Sequence, residues 1–169
     1  AVVAGGNEAS GLVDTMEYVT IASTGNATDF GNLTVAKYGV AAGGNATTGL
    51  FAGSWYINAF NVIENITIAS TGNAADWGDL SVARGFAGGH GDGTPAVQNE
   101  TGFAPASLGL FAGGLVDSSI EYVNIATDGE GAMFGDLQEK TYGSYGSGCS
   151  TTRACFFGGE GHVTSTITT

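Results

Sequence analysis

Polar and apolar side chains alternate along Met16–Ala22, with Tyr18, Thr20 and Ala22 on one face and Glu17, Val19 and Ile21 on the other. That period of two, with β-branched residues to match, predicts a strand. The pattern returns at Ile63–Ala69 and Ile120–Ala126. Short apolar runs that end in small residues predict a second kind of strand. They are Ala1–Gly6 (AVVAGG), Gly49–Gly53 (GLFAG), Gly109–Gly114 (GLFAGG) and Ala154–Gly159 (ACFFGG). The turn-forming stretch Ser23–Ala27 leads into Asp29–Leu33, which carries one aromatic and one Leu. A further strand is expected over Val35–Ala41, with Val82–Gly88 and a looser Glu139–Tyr145 as counterparts.

These elements recur as a block. EYVTIASTGNATDFGNLTVAK at Glu17–Lys37 becomes ENITIASTGNAADWGDLSVAR at Glu64–Arg84 and EYVNIATDGEGAMFGDLQEK at Glu121–Lys140. A period of about fifty residues with four short strands matches one blade of a β-propeller. The rungs of a β-solenoid would repeat much faster. The expected fold is all-β: one repeat array over residues 1–169 with units 1–33, 34–80, 81–137 and 138–169. That makes about three and a half blades, beginning and ending in mid-blade. The expectation is therefore an oligomer, or part of a longer chain, that completes the structure.

Two positions recur with each unit. The aromatic is Phe30, Trp77 or Phe134, which argues for packing between layers. A basic residue, Lys37, Arg84 or Lys140, stands at or beside one point of the first strand. Lys and Arg number only four in the chain, so this placement predicts a structural ion pair or hydrogen bond to a neighbouring unit.

Charge and composition narrow the function. The net charge is −12, and no basic patch can be assembled for nucleic-acid phosphates or an anionic membrane surface. No apolar run approaches the ~18 residues of a membrane span. Neutral glycans, cations and other protein surfaces remain as partners. Gly is 30 of 169 residues, far above ordinary usage, yet 43% hydrophobic content argues against disorder. An acidic surface poor in Lys suits an extracellular setting.

The third unit is about ten residues longer than the second, and the excess lies in a loop at 90–107 that holds both prolines. Long loops on rigid scaffolds carry recognition, so Asp92, Gln98, Asn99 and Phe103 are the candidate ligand contacts. An aromatic with amides suits a neutral sugar, and a subunit interface would look the same. The alternative is a neutral insertion at a tolerant loop tip. Asp-rich turns such as Asp76–Asp79 offer oxygen ligands for Ca²⁺, but turn chemistry explains them without a metal. No cofactor is therefore expected. Cys149 and Cys155 flank a turn and form either a disulfide or two free thiols. Asn26, Asn32, Asn45, Asn65 and Asn99 each begin an Asn-x-Thr acceptor pattern. No catalytic constellation emerges, and Asp29-Phe30-Gly31 lacks the companions of the kinase motif it spells. The remaining enzymatic alternative is glycan cleavage by a carboxylate pair.

A basic first strand, a Gly-pair second strand, an alternating third strand and an aromatic fourth resemble the kelch repeat. The chain departs from it where Ala52-Gly53 replaces Gly-Gly and where Phe replaces Trp in two copies. Segments such as Asn61–Ala74, Asp76–Arg84 and Gly148–Gly159 look like the kelch-like repeats of large virion proteins in tailed phages of marine bacteria. That resemblance implies a non-enzymatic surface part of a virion, in a tail fibre, appendage or decoration. It further implies contacts with other virion subunits and binding of neutral host-surface glycan. A secreted or cell-surface adhesion propeller of a bacterium is the alternative.

Overall fold

The computed structural model describes residues 1–55, 58–91, 108–115, 117–127, 129–141, 146–149 and 153–159, and every helix or strand among them is a strand. The first sheet holds β1 (Val2–Glu8), β2 (Gly11–Tyr18) and β3 (Thr28–Asn32). The second holds β4 (Ala41–Gly44), β5 (Thr48–Trp55), β6 (Ala59–Thr67) and β7 (Ala75–Arg84). The third holds β8 (Gly88–Gly91), β9 (Leu108–Ala112), β10 (Asp117–Asn124) and β11 (Ala132–Thr141). The last is the pair β12 (Gly146–Cys149) and β13 (Ala154–Phe157). Every pairing is antiparallel and joins strands adjacent in sequence, so each sheet is a meander. The all-β class is present.

Two boundaries differ from the sequence reading. The alternating strand at Met16–Ala22 is really β2, which starts earlier and stops at Tyr18. The Val19 amide donates to the Ala1 carbonyl at 3.0 Å, and Ile21 beyond it is 84% exposed. The larger correction concerns the first strand of each unit. It is not 35–41, 82–88 or 139–145 but β4, β8 and β12, with sequences AAGG, GGHG and GSGC. These Gly runs read as loops, yet β4, β8 and β12 lie side by side in successive sheets. A Cβ on Gly43 would fall 2.8 Å from the His90 carbonyl oxygen, and one on Gly89 would fall 2.5 Å from that of Ala42. Ser147 Oγ donates to the Gly89 carbonyl at 2.5 Å. Side chains would hold these backbones apart, so close approach requires glycine.

The core lies between sheets. Met16, Phe30 and Leu33 of the first unit pack with Phe51, Ile66 and Ala74 of the second. Leu50, Ile63, Trp77 and Leu80 of the second pack with Phe111, Val123 and Ile125 of the third. Ala112 and Leu137 pack with Phe156 of the last pair. Each large side chain so buried contributes roughly 1.5–3 kcal/mol. No sheet has a private core, so stability resides in the stacking.

The aromatic position shows this directly. Phe30 and Trp77 are 4% and 8% exposed, as an interlayer role requires. Phe134 does not follow them and is 59% exposed. Phe156 of β13 joins Leu137, but Phe134 meets only Tyr122 edge-on at 6.3 Å among the described rings.

The neighbouring glycine gives a test. A Cβ on Gly78 would fall inside contact distance of the Gly129 carbonyl, whereas one on the equivalent Gly135 meets nothing within 4 Å. Gly78→Ala should cost about 1–3 kcal/mol in chemical denaturation. Gly135→Ala should stay within about 0.5 kcal/mol of the parent. Equal losses at both positions would contradict the stacking described.

Candidate functional site

The most organised polar features lie at the junctions between sheets. Each begins with a carboxylate on the third strand of a sheet. Glu64 on β6 and Glu121 on β10 are both fully buried. A buried carboxylate is costly unless charge and hydrogen bonds compensate it. Here the chain just after Leu33 or Leu80, residues 34–37 or 81–84, supplies both. The Thr34 amide donates to Glu64 Oε1 at 2.8 Å, the Thr34 hydroxyl donates to the same oxygen, and the Lys37 ammonium pairs with Oε2. At the next junction the Ser81 amide donates to Glu121 Oε2 at 2.6 Å and the Val82 amide to Oε1 at 3.2 Å. The Arg84 guanidinium pairs with Oε1. It also donates to the Gly113 carbonyl at 3.1 Å, the Ser119 carbonyl at 3.0 Å and Ser119 Oγ at 2.6 Å.

The local sequence explains why the donors are free. Thr34 follows the end of β3, and Ser81 and Val82 lie where the register of β7 with β6 shifts between Asp79 and Arg84, so their amides take partners from outside the ladder. The basic residue follows within the same segment. A glycine in the second strand makes room for it. Gly53 has φ +63° at a bulge between Ala52 and Ser54, a conformation that favours glycine. A Cβ there would collide with the Arg84 carbonyl. Gly5, with φ +65°, stands in the same relation to Lys37.

A second link forms beside the first at both junctions. The Gly72 amide donates to the Phe30 carbonyl at 2.7 Å, and the Ala74 amide to the Asn32 carbonyl at 2.8 Å. Asn73 Oδ1 accepts from the Asn32 amide at 3.1 Å. In the next junction the Gly131 amide donates to the Asp79 carbonyl at 2.6 Å. The turn after each third strand thus clips onto the last strand of the sheet before.

Asp117 completes the Arg84 cluster, with Oδ2 at 3.6 Å from the guanidinium. Burial alone would raise its pKa. Hydrogen bonds from the Ser119 amide and hydroxyl, with the Arg84 charge, outweigh that and hold the carboxyl below its ordinary range. Chemically the cluster is a cross-link. Both oxygens of Glu121 are occupied and sealed from solvent, so this carboxylate has nothing to offer a substrate.

The predicted residues fall out unevenly. Lys37 and Arg84 make buried ion pairs, but with Glu64 and Glu121 of their own units, 34–80 and 81–137, and not with a neighbouring unit. Lys140 does not: it is exposed and has no ion pair among the described residues. Glu17, the counterpart of Glu64 and Glu121, is exposed as well. The carboxylate partners were missed in the sequence. The available signal was one Glu per unit, fixed within an apolar strand, matched by one base per unit. Cys155 is a free thiol. It pairs in register with Gly148, and Cys149 pairs with Ala154, so the two cysteines do not face each other across the hairpin. Asp92, Gln98, Asn99 and Phe103 lie outside the described residues. Among the described residues no group of three or more His, Cys, Asp or Glu converges as a metal site. The turn aspartate Asp29 instead accepts from the Gly31 amide at 3.2 Å.

No family model and no curated protein matches this chain. Its function must be argued from the geometry.

Removing one partner of the cross-link should be severe. Glu121→Ala strands the buried Arg84 and should cost about 3–5 kcal/mol in urea unfolding. Combining Arg84→Met with Glu121→Leu should recover most of that loss, because no buried charge is left. Asp117 should shape the acid limb. Its folded pKa lies below the unpaired value of 3.8, so its contribution is present above that value and lost as pH falls through the folded one. Asp117→Asn should flatten the fall in stability there, measured by urea midpoints across pH.

Proposed function

We propose that this chain is a segment of a kelch-like β-propeller that serves as a non-enzymatic surface module and assembles by stacking like sheets. The setting is the surface of a tailed-phage virion, in a fibre, appendage or decoration. Its partners are other virion subunits and neutral host-surface glycan. The wording of the repeat supports the setting. The junctions support the assembly.

One observation carries the assembly reading. At two junctions a base and an aromatic meet a carboxylate and a Gly turn of the next sheet. On the first and third sheets the matching parts stand open among the described residues. Lys140, Phe134 and Gly135 are uncovered on the third sheet, and Glu17 and the turn at Gly25 are uncovered on the first. These halves are complementary in charge and in shape. A further unit of the same kind, on this polypeptide or another copy, satisfies them. Such contacts are head to tail, and they form rings where the rotation closes and filaments where it does not.

Sedimentation velocity tests this. The chain should associate as concentration rises. Lys140→Glu and Glu17→Lys should each weaken association at least tenfold, about 1.4 kcal/mol. A chain that stays monomeric and sediments identically with either substitution would count against the proposal.

A further inference from the structure

A groove of about 520 Å³ lies at the end of the first sheet, lined by Asn7, Gly11, Leu12, Ala36 and Tyr38. Its volume is that of a small-ligand site. Asn7 and Gly11 come from the β1–β2 hairpin. Ala36 and Tyr38 come from the segment that crosses to the second sheet. None of the five carries a charge, although the chain as a whole is strongly acidic. The polar groups are an exposed side-chain amide, a phenol and exposed backbone. The rest is apolar.

Two further aromatic residues contact Tyr38. The Tyr38 ring meets Phe86 edge to face at 5.5 Å. Tyr38 also forms a backbone bridge with Trp55, whose amide donates to the Tyr38 carbonyl at 2.8 Å. Tyr38, Trp55 and Phe86 are all partly exposed.

Phe86 adds an independent observation. It has φ +59°, a left-handed conformation that costs a bulky residue of order 1–3 kcal/mol. The equivalent position one unit earlier is Gly39, with φ +67°. The two are hydrogen-bonded, Phe86 amide to Gly39 carbonyl, at 2.7 Å. The repeat therefore calls for glycine here, and the chain holds an aromatic ring there at the expense of backbone strain. Strain of this kind is found at sites shaped for a ligand. The ring sits against the groove wall.

The geometry points to this groove as a binding site for a neutral oligosaccharide. A sugar ring lays its C–H face on Tyr38 and Phe86, while its hydroxyls reach the Asn7 amide and the backbone near Gly11. Acidic sugars are excluded because no cation is among the described residues that line the groove and the surrounding field is negative. The ligand class rests on the surface-module reading above, but Asn7, Gly11, Leu12, Ala36 and Tyr38 are not the contacts the sequence suggested.

The test is an NMR shift titration of the whole chain with maltotriose, N-acetylchitotriose and sialyllactose at millimolar concentration. One or both neutral sugars should shift Asn7, Gly11, Leu12, Ala36 and Tyr38, and sialyllactose should not. Asn7→Ala and Phe86→Gly should each weaken binding at least tenfold. Phe86→Gly should leave the thermal midpoint unchanged or raised, which a purely structural role for Phe86 would not produce. Absence of shifts at these residues with both neutral sugars would overturn the proposal, as would shifts confined to other residues. Neither substitution touches Lys140 or Glu17, so loss of sugar binding with intact association counts against the groove alone. Loss of association with intact sugar shifts counts against the assembly reading alone.

Discussion

A carboxylate placed where water cannot reach it governs this structure. Glu64 and Glu121 are tolerable only when residues 34–37 or 81–84 deliver two donors of hydrogen bonds and a cation to the same point. For Glu121 the cation arrives from a residue 37 positions away. A buried ion pair of this kind adds little net stability over a well-packed apolar pair. What it penalises is error. A sheet stacked one strand out of place would leave a charge without its partner, and that arrangement is far costlier than a cavity. The apolar clusters between sheets drive association, and the ion pairs select one register for it.

The glycines serve the same geometry. The inner strands approach so closely that their backbones leave no space for side chains. The bulge at Gly53 opens the second strand where the Arg84 backbone passes. An unusual glycine content thus coexists with a well-ordered core, because the Gly positions are contacts between elements and not breaks within them.

Much of the repeat was legible in the sequence. Alternation in strands such as Ile120–Ala126, the Gly-closed apolar runs and the recurring aromatic mark out strands that the sheets contain. The pairing role of Lys37 and Arg84 was legible from scarcity alone. Strands β4 and β8 were not. AAGG and GGHG carry no periodicity, and their strand character comes from pairing with β5 and β9, which no local pattern encodes. Phe134 and Lys140 illustrate the same limit from the other side. Their residue types match Phe30 and Lys37, but burial depends on what covers them, and that is a property of the next unit. The aromatic groove was invisible because Tyr38 and Asn7 meet across two segments. Phe86 was invisible because its left-handed backbone cannot be read from the residue name.

The division of each junction between consecutive sheets bears on how such a chain changes over generations. At both buried junctions the base stands on chain that closes one sheet and the acid on the third strand of the next. An in-frame duplication or loss of one whole unit leaves every internal charge matched, wherever the recombination points fall within the repeat. A loss out of phase by half a unit leaves an acid or a base buried alone. Array length is therefore free to drift by inheritance in steps of one unit, and selection removes the intermediate lengths.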